Sequence, residues 1–244
     1  MALDLNDKTA NANNLTNNSA TEYTADTPFA ASTITAAVTI AGKENLTAAD
    51  SASLSITANI TLMCWVKFTA LSTLQMIMTK WNNIGGDNRS YTFYIDTSNN
   101  LSFSYSNDGV AQDTISVAWT PSTETWYNIA ISWTAATKVG QFAVNGVQQG
   151  TDQTGATITS LFDSTIKFQI SGKDEANMNN PFGGKIDEVR VYNTARTIAA
   201  ISGDYNVELV GDETGLVAYW PFEPLGGGGA NWPIMTGKKF WGSR

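Results

Sequence analysis

The sequence predicts an all-β fold, built as an antiparallel sandwich or barrel. Short segments in which apolar and polar residues alternate, such as 91–95, recur along the chain between turn residues. Asn145-Gly146 follows one such segment, and this pair is a strong signal for a two-residue hairpin turn. Only one short helix is indicated, near residues 197–202, with Thr197 as its N-cap. Together these features favour an antiparallel fold with many short strands.

The strands can be placed in order along the chain. A first strand is expected near residues 1–5, and the polar segment up to residue 35 is expected to wrap around the surface. The segment 60–68 is apolar on both faces, because Met63 and Trp65 face away from its other apolar residues, which predicts a central strand. The predicted strands cover 37–40, 60–68, 74–80, 91–95, 101–105, 127–133, 142–144, 166–170 and 184–192.

Composition excludes several classes of function. The 244 residues carry a net charge of −8, which disfavours nucleic acid and anionic membrane surfaces as partners. There is no histidine and one cysteine, so histidine-dependent catalysis, histidine-bound zinc and an intrachain disulfide are excluded. No apolar run is long enough to insert into a membrane. Only 15% of residues are charged, a surface type common in extracellular and virion β proteins.

The first residues lack the basic start and apolar stretch of a signal peptide. We therefore expect either a chain that begins after a cleaved leader or one that reaches its destination without a leader. In both cases the expected location is extracellular or on a virion surface.

Four segments together resemble a known family. They are 50–56 leading into 60–68, then 124–130, 142–146 and 184–192. In order and spacing they resemble the LamG-like and pentraxin-type domains of the concanavalin A-like lectin/glucanase superfamily. The resemblance implies a two-sheet jelly-roll sandwich over residues 1–210, rather than a barrel. It also implies a binding or adhesion function, often with calcium at the rim.

The resemblance also implies a calcium site. Strict alternation along 184–192 places Asp187 on the core-facing side with Val189 and Val191, where a carboxylate needs a partner. By analogy with the family, Asp187 is the first candidate ligand for Ca²⁺, and Asp4 in the expected first strand is the second. The alternative is that the Asp187 carboxylate accepts hydrogen bonds from backbone N–H groups without a metal.

A turn-rich loop offers candidate groups for binding a sugar. Sugars stack an apolar ring face on aromatic side chains and form hydrogen bonds with amides and carboxylates. The candidate residues in this loop are Trp81, Asn83, Asp87, Asn88 and Arg89. The alternative is an ordinary hairpin loop, with Trp81 packed at the edge of the core.

No catalytic residues are predicted. Glycoside hydrolysis usually needs two carboxyl groups on either side of the scissile bond. The related hydrolases carry a Glu-x-Asp-x-x-Glu strand, and this sequence has none. Glu188 is expected to pair with Arg190 instead of acting in catalysis. A glycoside hydrolase is therefore the third and least favoured function, and we predict that the chain is not an enzyme.

Residues 211–244 are predicted to form a C-terminal tail. The tail contains a strand at 216–222, a glycine-rich hinge at 226–229 and an apolar end. Its apolar end is expected to dock on the same sandwich or on a neighbouring subunit, because it would otherwise expose a sticky surface. The alternative is the truncated start of a second domain. The docking residues are Trp232, Ile234, Phe240 and Trp241.

These observations favour a non-catalytic recognition or adhesion module that binds glycans, supported by calcium. The alternative is a structural virion protein, such as a phage capsid decoration or tail component, whose partners are other protein subunits or further copies of this chain. The family resemblance favours the first function, and the apolar tail favours the second.

Overall fold

The computed structural model describes residues 4–18, 22–24, 26–28, 37–40, 45–83, 88–173 and 179–223. No helix in these ranges has the length and apolarity to span a membrane. The elements are β1 Leu15–Asn17, β2 Glu22–Thr24, β3 Ala37–Ile40, β4 Leu46–Ala48, β5 Ile60–Phe68, β6 Gln75–Asn82, β7 Asn88–Ile95, β8 Leu101–Gly109, β9 Asp113–Val117, β10 Trp126–Thr134, β11 Val139–Val144, β12 Val147–Gln148, β13 Gln153–Thr154, β14 Phe168–Ile170, β15 Gly184–Tyr192, α1 Ile198–Asp204 and β16 Leu216–Trp220.

The strands form two antiparallel sheets. One sheet has seven strands in the order β1-β4-β14-β6-β7-β8-β9. The other has nine, in the order β12-β11-β10-β5-β15-β3-β2, with β13 paired to β11 and β16 paired to β15. A single large apolar core contains residues of both sheets. The predicted antiparallel sandwich with one short helix is confirmed.

The central strand β5 has two apolar faces, as its sequence predicts. It lies between β10 and β15, and Leu62, Cys64 and Val66 point into the core between the sheets. Met63 faces outward and packs with Ile201 of α1. The thiol is fully buried, and this burial raises the pKa of Cys64.

The helix begins as predicted and covers the outer side of the nine-stranded sheet. Thr197 is the N-cap, and its hydroxyl accepts a hydrogen bond from the Ala200 N–H at 3.2 Å. Through the contact of Ile201 with the outward side chains of the sheet, α1 forms a small second apolar cluster.

β15 departs from strict alternation at its centre. Its register against β5 shifts after Asp187, and Glu188 has a φ of 53°, so the strand contains a bulge. Ile186 and Val189 both belong to the core. Asp187 pairs with Trp65, which points to the outer side of the sheet. The expectation that Asp187 faces the core beside Val189 is therefore wrong, because the bulge inverts the alternation.

The first and last described segments lie side by side. The Asp4 N–H donates to the Glu223 carbonyl at 2.8 Å, and the Lys8 N–H donates to the Tyr219 carbonyl at 2.9 Å. Of the first strand expected near residues 1–5, residues 1–3 lie outside the described residues, and Asp4 and the next residue form no strand. The predicted strand at 216–222 appears as β16, which belongs to the nine-stranded sheet.

Candidate functional site

A cleft of about 310 Å³ opens on the outer face of the seven-stranded sheet. Small-molecule sites in proteins usually measure roughly 300–1,000 Å³, so this cleft suits a small ligand or one end of a larger one. Its lining comes from β6, β7 and β8 and from the loops next to them, and Lys173 is added by the loop after β14. The residues that matter most for its chemistry are Trp81, Asn83, Tyr94, Asp96, Gln112 and Lys173.

Alternation along β7 and its neighbours gives the cleft a polar floor. Tyr91 and Phe93 point into the core, and Thr92 and Tyr94 therefore point outward. The hydroxyl of Tyr94 in β7 lies 3.1 Å from that of Ser104 in β8. The Ser104 hydroxyl in turn lies 2.7 Å from that of Thr114 in β9. A row of hydroxyl groups thus crosses three strands, and its members on Tyr94 and Ser104 line the cleft.

Two aromatic rings line the cleft, and they differ in exposure. Trp81 is only 3% exposed, so its indole forms part of the wall. Tyr94 is partly exposed, and its ring is the more accessible surface for stacking. Among the described lining residues, the only carboxylate is that of Asp96. Its oxygens accept hydrogen bonds from the Ser98 N–H at 2.8 Å and from the N–H and side-chain amide of Asn100, both at 2.9 Å.

The structure brings part of the predicted sugar-binding loop into this cleft. Trp81 and Asn83 line it. Arg89 lies beside its wall, with the guanidinium carbon 6.0 Å from the centre of the Trp81 ring, and donates a hydrogen bond to a backbone carbonyl. Asn88 pairs with the end of β6 and is not a lining residue. Asp87 lies outside the described residues.

The two predicted calcium ligands lie in different surroundings. Asp187 is fully buried, one of its oxygens accepts the Glu188 N–H at 2.9 Å, and the other, Oδ2, has no hydrogen-bond partner. Burial raises the pKa of Asp187 well above its usual value, and the nearby Glu188 charge raises it further. The Asp4 carboxylate binds the Lys8 ammonium at 2.5 Å and the Asn6 N–H at 3.0 Å.

Glu188 pairs with Arg190, as predicted, and both side chains are fully buried. The Tyr219 hydroxyl donates to Glu188 at 2.9 Å. Arg190 also donates to the carbonyls of Asp204 and Val207, both at 2.6 Å. Burial raises the pKa of Glu188, although the Arg190 charge acts in the opposite direction. This network fastens the end of α1 to the sheet.

The model of the concanavalin A-like lectin/glucanases superfamily matches residues 41–202, which is more than half of the chain. The chain belongs to this superfamily. The comparison with curated proteins gave no match.

Several solved structures share this concanavalin A-like fold. A candidate carbohydrate binding protein from Bacteroides ovatus is 20% identical, with a TM-score of 0.54, and the match covers 67% of this chain and 45% of that protein. The CBM40 of the Ruminococcus gnavus IT-sialidase, bound to α2,3-sialyllactose, is 17% identical with a TM-score of 0.54, and the match covers 64% of this chain and 86% of that chain. Domain 4 of an extracellular arabinanase from Geobacillus stearothermophilus, in complex with arabinotriose, is 18% identical with a TM-score of 0.54, and the match covers 79% of this chain and 87% of that chain. At these identities, the matches show the fold.

Among the lining residues that matter most for the chemistry of this concanavalin A-like domain, sequence reasoning missed Tyr94, Asp96 and Gln112. Tyr94 stands in the polar row of the alternating segment 91–95, and an aromatic residue in that row is a signal that was available. Gln112 comes from a separate loop that no local pattern connects with Trp81. Lys173 opens the polar loop 173–180, whose composition resembles that of the predicted sugar-binding loop, but the sequence does not show that the two loops meet. Only the pairing of the strands brings these residues to one cleft.

Proposed function

We propose that this concanavalin A-like domain is a non-catalytic module that binds glycans in the cleft on its seven-stranded sheet. The observation that carries the proposal is the partly exposed Tyr94 ring, whose hydroxyl joins a row of hydroxyl groups, in a cleft that Asn83 and Gln112 also line. An aromatic ring can stack on the apolar face of a sugar, and amides and hydroxyls can bind its hydroxyl groups. The carbohydrate-bound relatives of the same fold support this choice.

The carboxylates of the domain support a binding role over hydrolysis. Glycoside hydrolases usually place two carboxyl groups on either side of the scissile bond. In the described part of the cleft, Asp96 is the only acidic lining residue, and its oxygens hold the turn between β7 and β8. Glu188 is fully buried and paired with Arg190, away from solvent.

Calcium support remains a prediction, because the described side chains do not complete a calcium site. Ca²⁺ usually takes six to eight oxygen ligands. Asp187 offers one oxygen without a hydrogen-bond partner, and Asp4 is already paired with Lys8. No group of three or more acidic or cysteine side chains that could hold a metal occurs among the described residues. Calorimetric titration of the chelator-treated protein with Ca²⁺ tests this prediction directly.

The role as a structural virion protein also remains a prediction, as does the extracellular or virion location. Its main support is the apolar tail, and the docking residues Trp232, Ile234, Phe240 and Trp241 lie outside the described residues. The glycine-rich hinge at 226–229 lies outside them as well.

Substitution of Tyr94 tests the glycan proposal. A glycan array identifies the ligands of the unchanged protein, and calorimetry then measures their affinity for Tyr94→Ala and Tyr94→Phe. We expect Tyr94→Ala to weaken binding at least tenfold, about 1.4 kcal/mol, because the stacking surface is lost. Tyr94→Phe keeps the aromatic ring, so its loss of glycan affinity should be smaller than that of Tyr94→Ala.

Trp126→Ala is the matched control, because it removes a partly exposed aromatic ring on the other sheet. It should leave glycan affinity unchanged. Absence of any glycan ligand, or equal affinity of Tyr94→Ala and the unchanged protein, contradicts the proposal. Release of new reducing ends from a bound glycan contradicts the non-catalytic role.

A further inference from the structure

We infer that the cleft selects glycans that carry a carboxylate group, and that Lys173 binds this carboxylate. The inference rests on the proposed function and assigns its ligand class, an acidic sugar such as a uronate or a sialic acid. It follows from the way in which charges in and around the cleft are already paired.

The backbone on both sides of Lys173 is fixed against the start of β6. The Gly172 N–H donates to the Met76 carbonyl at 3.3 Å, and the Met76 N–H donates to the Asn180 carbonyl at 2.9 Å. Lys173 and Asn179 exchange two backbone hydrogen bonds of 3.0 Å each. The loop therefore begins and ends beside Met76, which itself lines the cleft, and this places Lys173 in the cleft wall.

Among the described residues, the Lys173 ammonium group forms neither a hydrogen bond nor an ion pair. This distinguishes it from most cationic side chains of the described chain. Six of those form ion pairs with a carboxylate, namely Lys8, Lys67, Lys80, Lys185, Arg190 and Arg196. Lys173 therefore remains available to a ligand.

The two acidic side chains described in and beside the cleft, Asp96 and Asp108, are already compensated. Asp96 accepts two backbone N–H groups and one amide, as described above. Asp108, near Gln112, accepts the N–H groups of Val110 and Ala111 at 2.8 Å each, and these bonds lower the pKa of Asp108. Peptide N–H groups thus offset both carboxylates, and among the described residues that line the cleft the ammonium of Lys173 is the charge without a counter-charge.

Arg89 adds a second positive charge, but at the other end of β6: it pairs with Trp81, and Lys173 lies beside Met76 at the start of that strand. Its guanidinium lies beside the Trp81 wall and, among the described residues, donates one hydrogen bond, to the Val110 carbonyl. Because the whole chain has a net charge of −8, long-range attraction of anions is not expected. Selection of an acidic sugar must then come from direct contact with a cationic side chain. A single substitution at Lys173 can therefore remove this selectivity.

Calorimetry with matched ligand pairs tests the inference. The probes are α2,3-sialyllactose against lactose, and a disaccharide ending in glucuronate against the same disaccharide ending in glucose. We expect the acidic member of at least one pair to bind about tenfold more tightly to the unchanged protein, and Lys173→Gln to abolish this preference. Lys173→Arg keeps the charge and should retain the preference.

Lys138→Gln is the charge-matched control. Lys138 donates to the Ala156 carbonyl and is not a lining residue of the cleft, so its loss should leave the preference unchanged. Thermal unfolding of all variants confirms that each one is folded.

The outcomes separate the inference from the proposed function. Equal affinity for acidic and neutral members, or a preference that survives in Lys173→Gln, overturns the inference and leaves glycan binding intact. Failure to bind any member of either pair, together with an empty glycan array, overturns both.

Discussion

Arg190 shows how single buried charges are accommodated in this domain. Its guanidinium is fully buried and pairs with Glu188, and its two terminal nitrogens also donate to the carbonyls of Asp204 and Val207, while Nε has no partner among the described residues. It also lies over the ring of Tyr219, 5.5 Å from the ring centre. A buried ion pair adds little stability in itself, but removing one partner leaves the other charge uncompensated.

We therefore expect Arg190→Met to lower the free energy of unfolding by about 3–5 kcal/mol. The variant leaves Glu188 buried without its cation and frees the carbonyl of Asp204, at the end of α1, and that of Val207. Denaturant-induced unfolding measures the change. Tyr219→Phe is the control, because it removes one hydroxyl and one donor to Glu188, and it should cost about 0.5–1.5 kcal/mol. A cost for Arg190→Met below that of the control would refute the argument.

The same residues show what the sequence can predict at this level. The pairing of Glu188 with Arg190 follows from their spacing and opposite charges, and it is confirmed. The orientation of Asp187 does not follow, because it depends on the positive φ of Glu188. Glutamate rarely adopts such a backbone angle, and no neighbouring glycine marks the bulge at that point.

β15 is the strand on which the nine-stranded sheet depends most. One of its edges pairs with β5 along most of its length, and the other changes partner from β3 at residues 184–186 to β16 at residues 189–192. The bulge lies between these two partners. At the start of the strand, Gly184 has a φ of 150°, and a Cβ atom there would lie 2.0 Å from the Lys67 carbonyl oxygen.

Gly184→Ala should accordingly destabilise the fold by about 1–3 kcal/mol, because both the backbone angle and the contact with β5 disfavour a side chain. Gly183→Ala is a closely matched control. Its added Cβ would approach no atom closer than the Thr69 hydroxyl at 3.5 Å. We expect the control to remain within about 0.5 kcal/mol of the unchanged protein. Equal melting temperatures for the two variants would contradict this account of β15.

Most strands with a clear alternating period were predicted, and most of the shortest were not. The exceptions are β9, which alternates but was not predicted, and the three-residue β14, which was predicted within 166–170. The strands β5, β7, β8 and β10 show the period clearly, and they were predicted close to their observed positions. β1, β2, β12 and β13 have two or three residues each, too few to show a period of two. Their pairing depends on neighbouring strands that are distant in sequence.

At the level of the whole domain, the cleft and the joined ends both depend on contacts between distant parts of the chain. The cleft unites β6 and β7 with Lys173, and only the topology of the sheet brings them together. The ends are joined through Asp7, whose buried carboxylate accepts the N–H groups of Thr9 at 2.9 Å, Asn13 at 2.9 Å and Tyr219 at 3.0 Å. A composition rich in polar residues predicted a wrapping segment here, but it could not show that Asp7 fixes this segment to β16.

Asp7→Ala should detach the N-terminal segment from β16. The substitution leaves the N–H groups of Thr9, Asn13 and Tyr219 without their acceptor, and each buried donor without a partner costs about 1–3 kcal/mol. We expect a loss of at least about 3 kcal/mol in the free energy of unfolding. In hydrogen exchange, the amides of β16 should lose protection more than those of β7, because β7 lies in the other sheet.

Asp152→Asn is the control, since Asp152 is exposed and accepts hydrogen bonds only from glutamine side chains among the described residues. Uniform loss of protection across both sheets, or no loss in β16, would show that the N-terminal segment does not hold this edge of the sandwich.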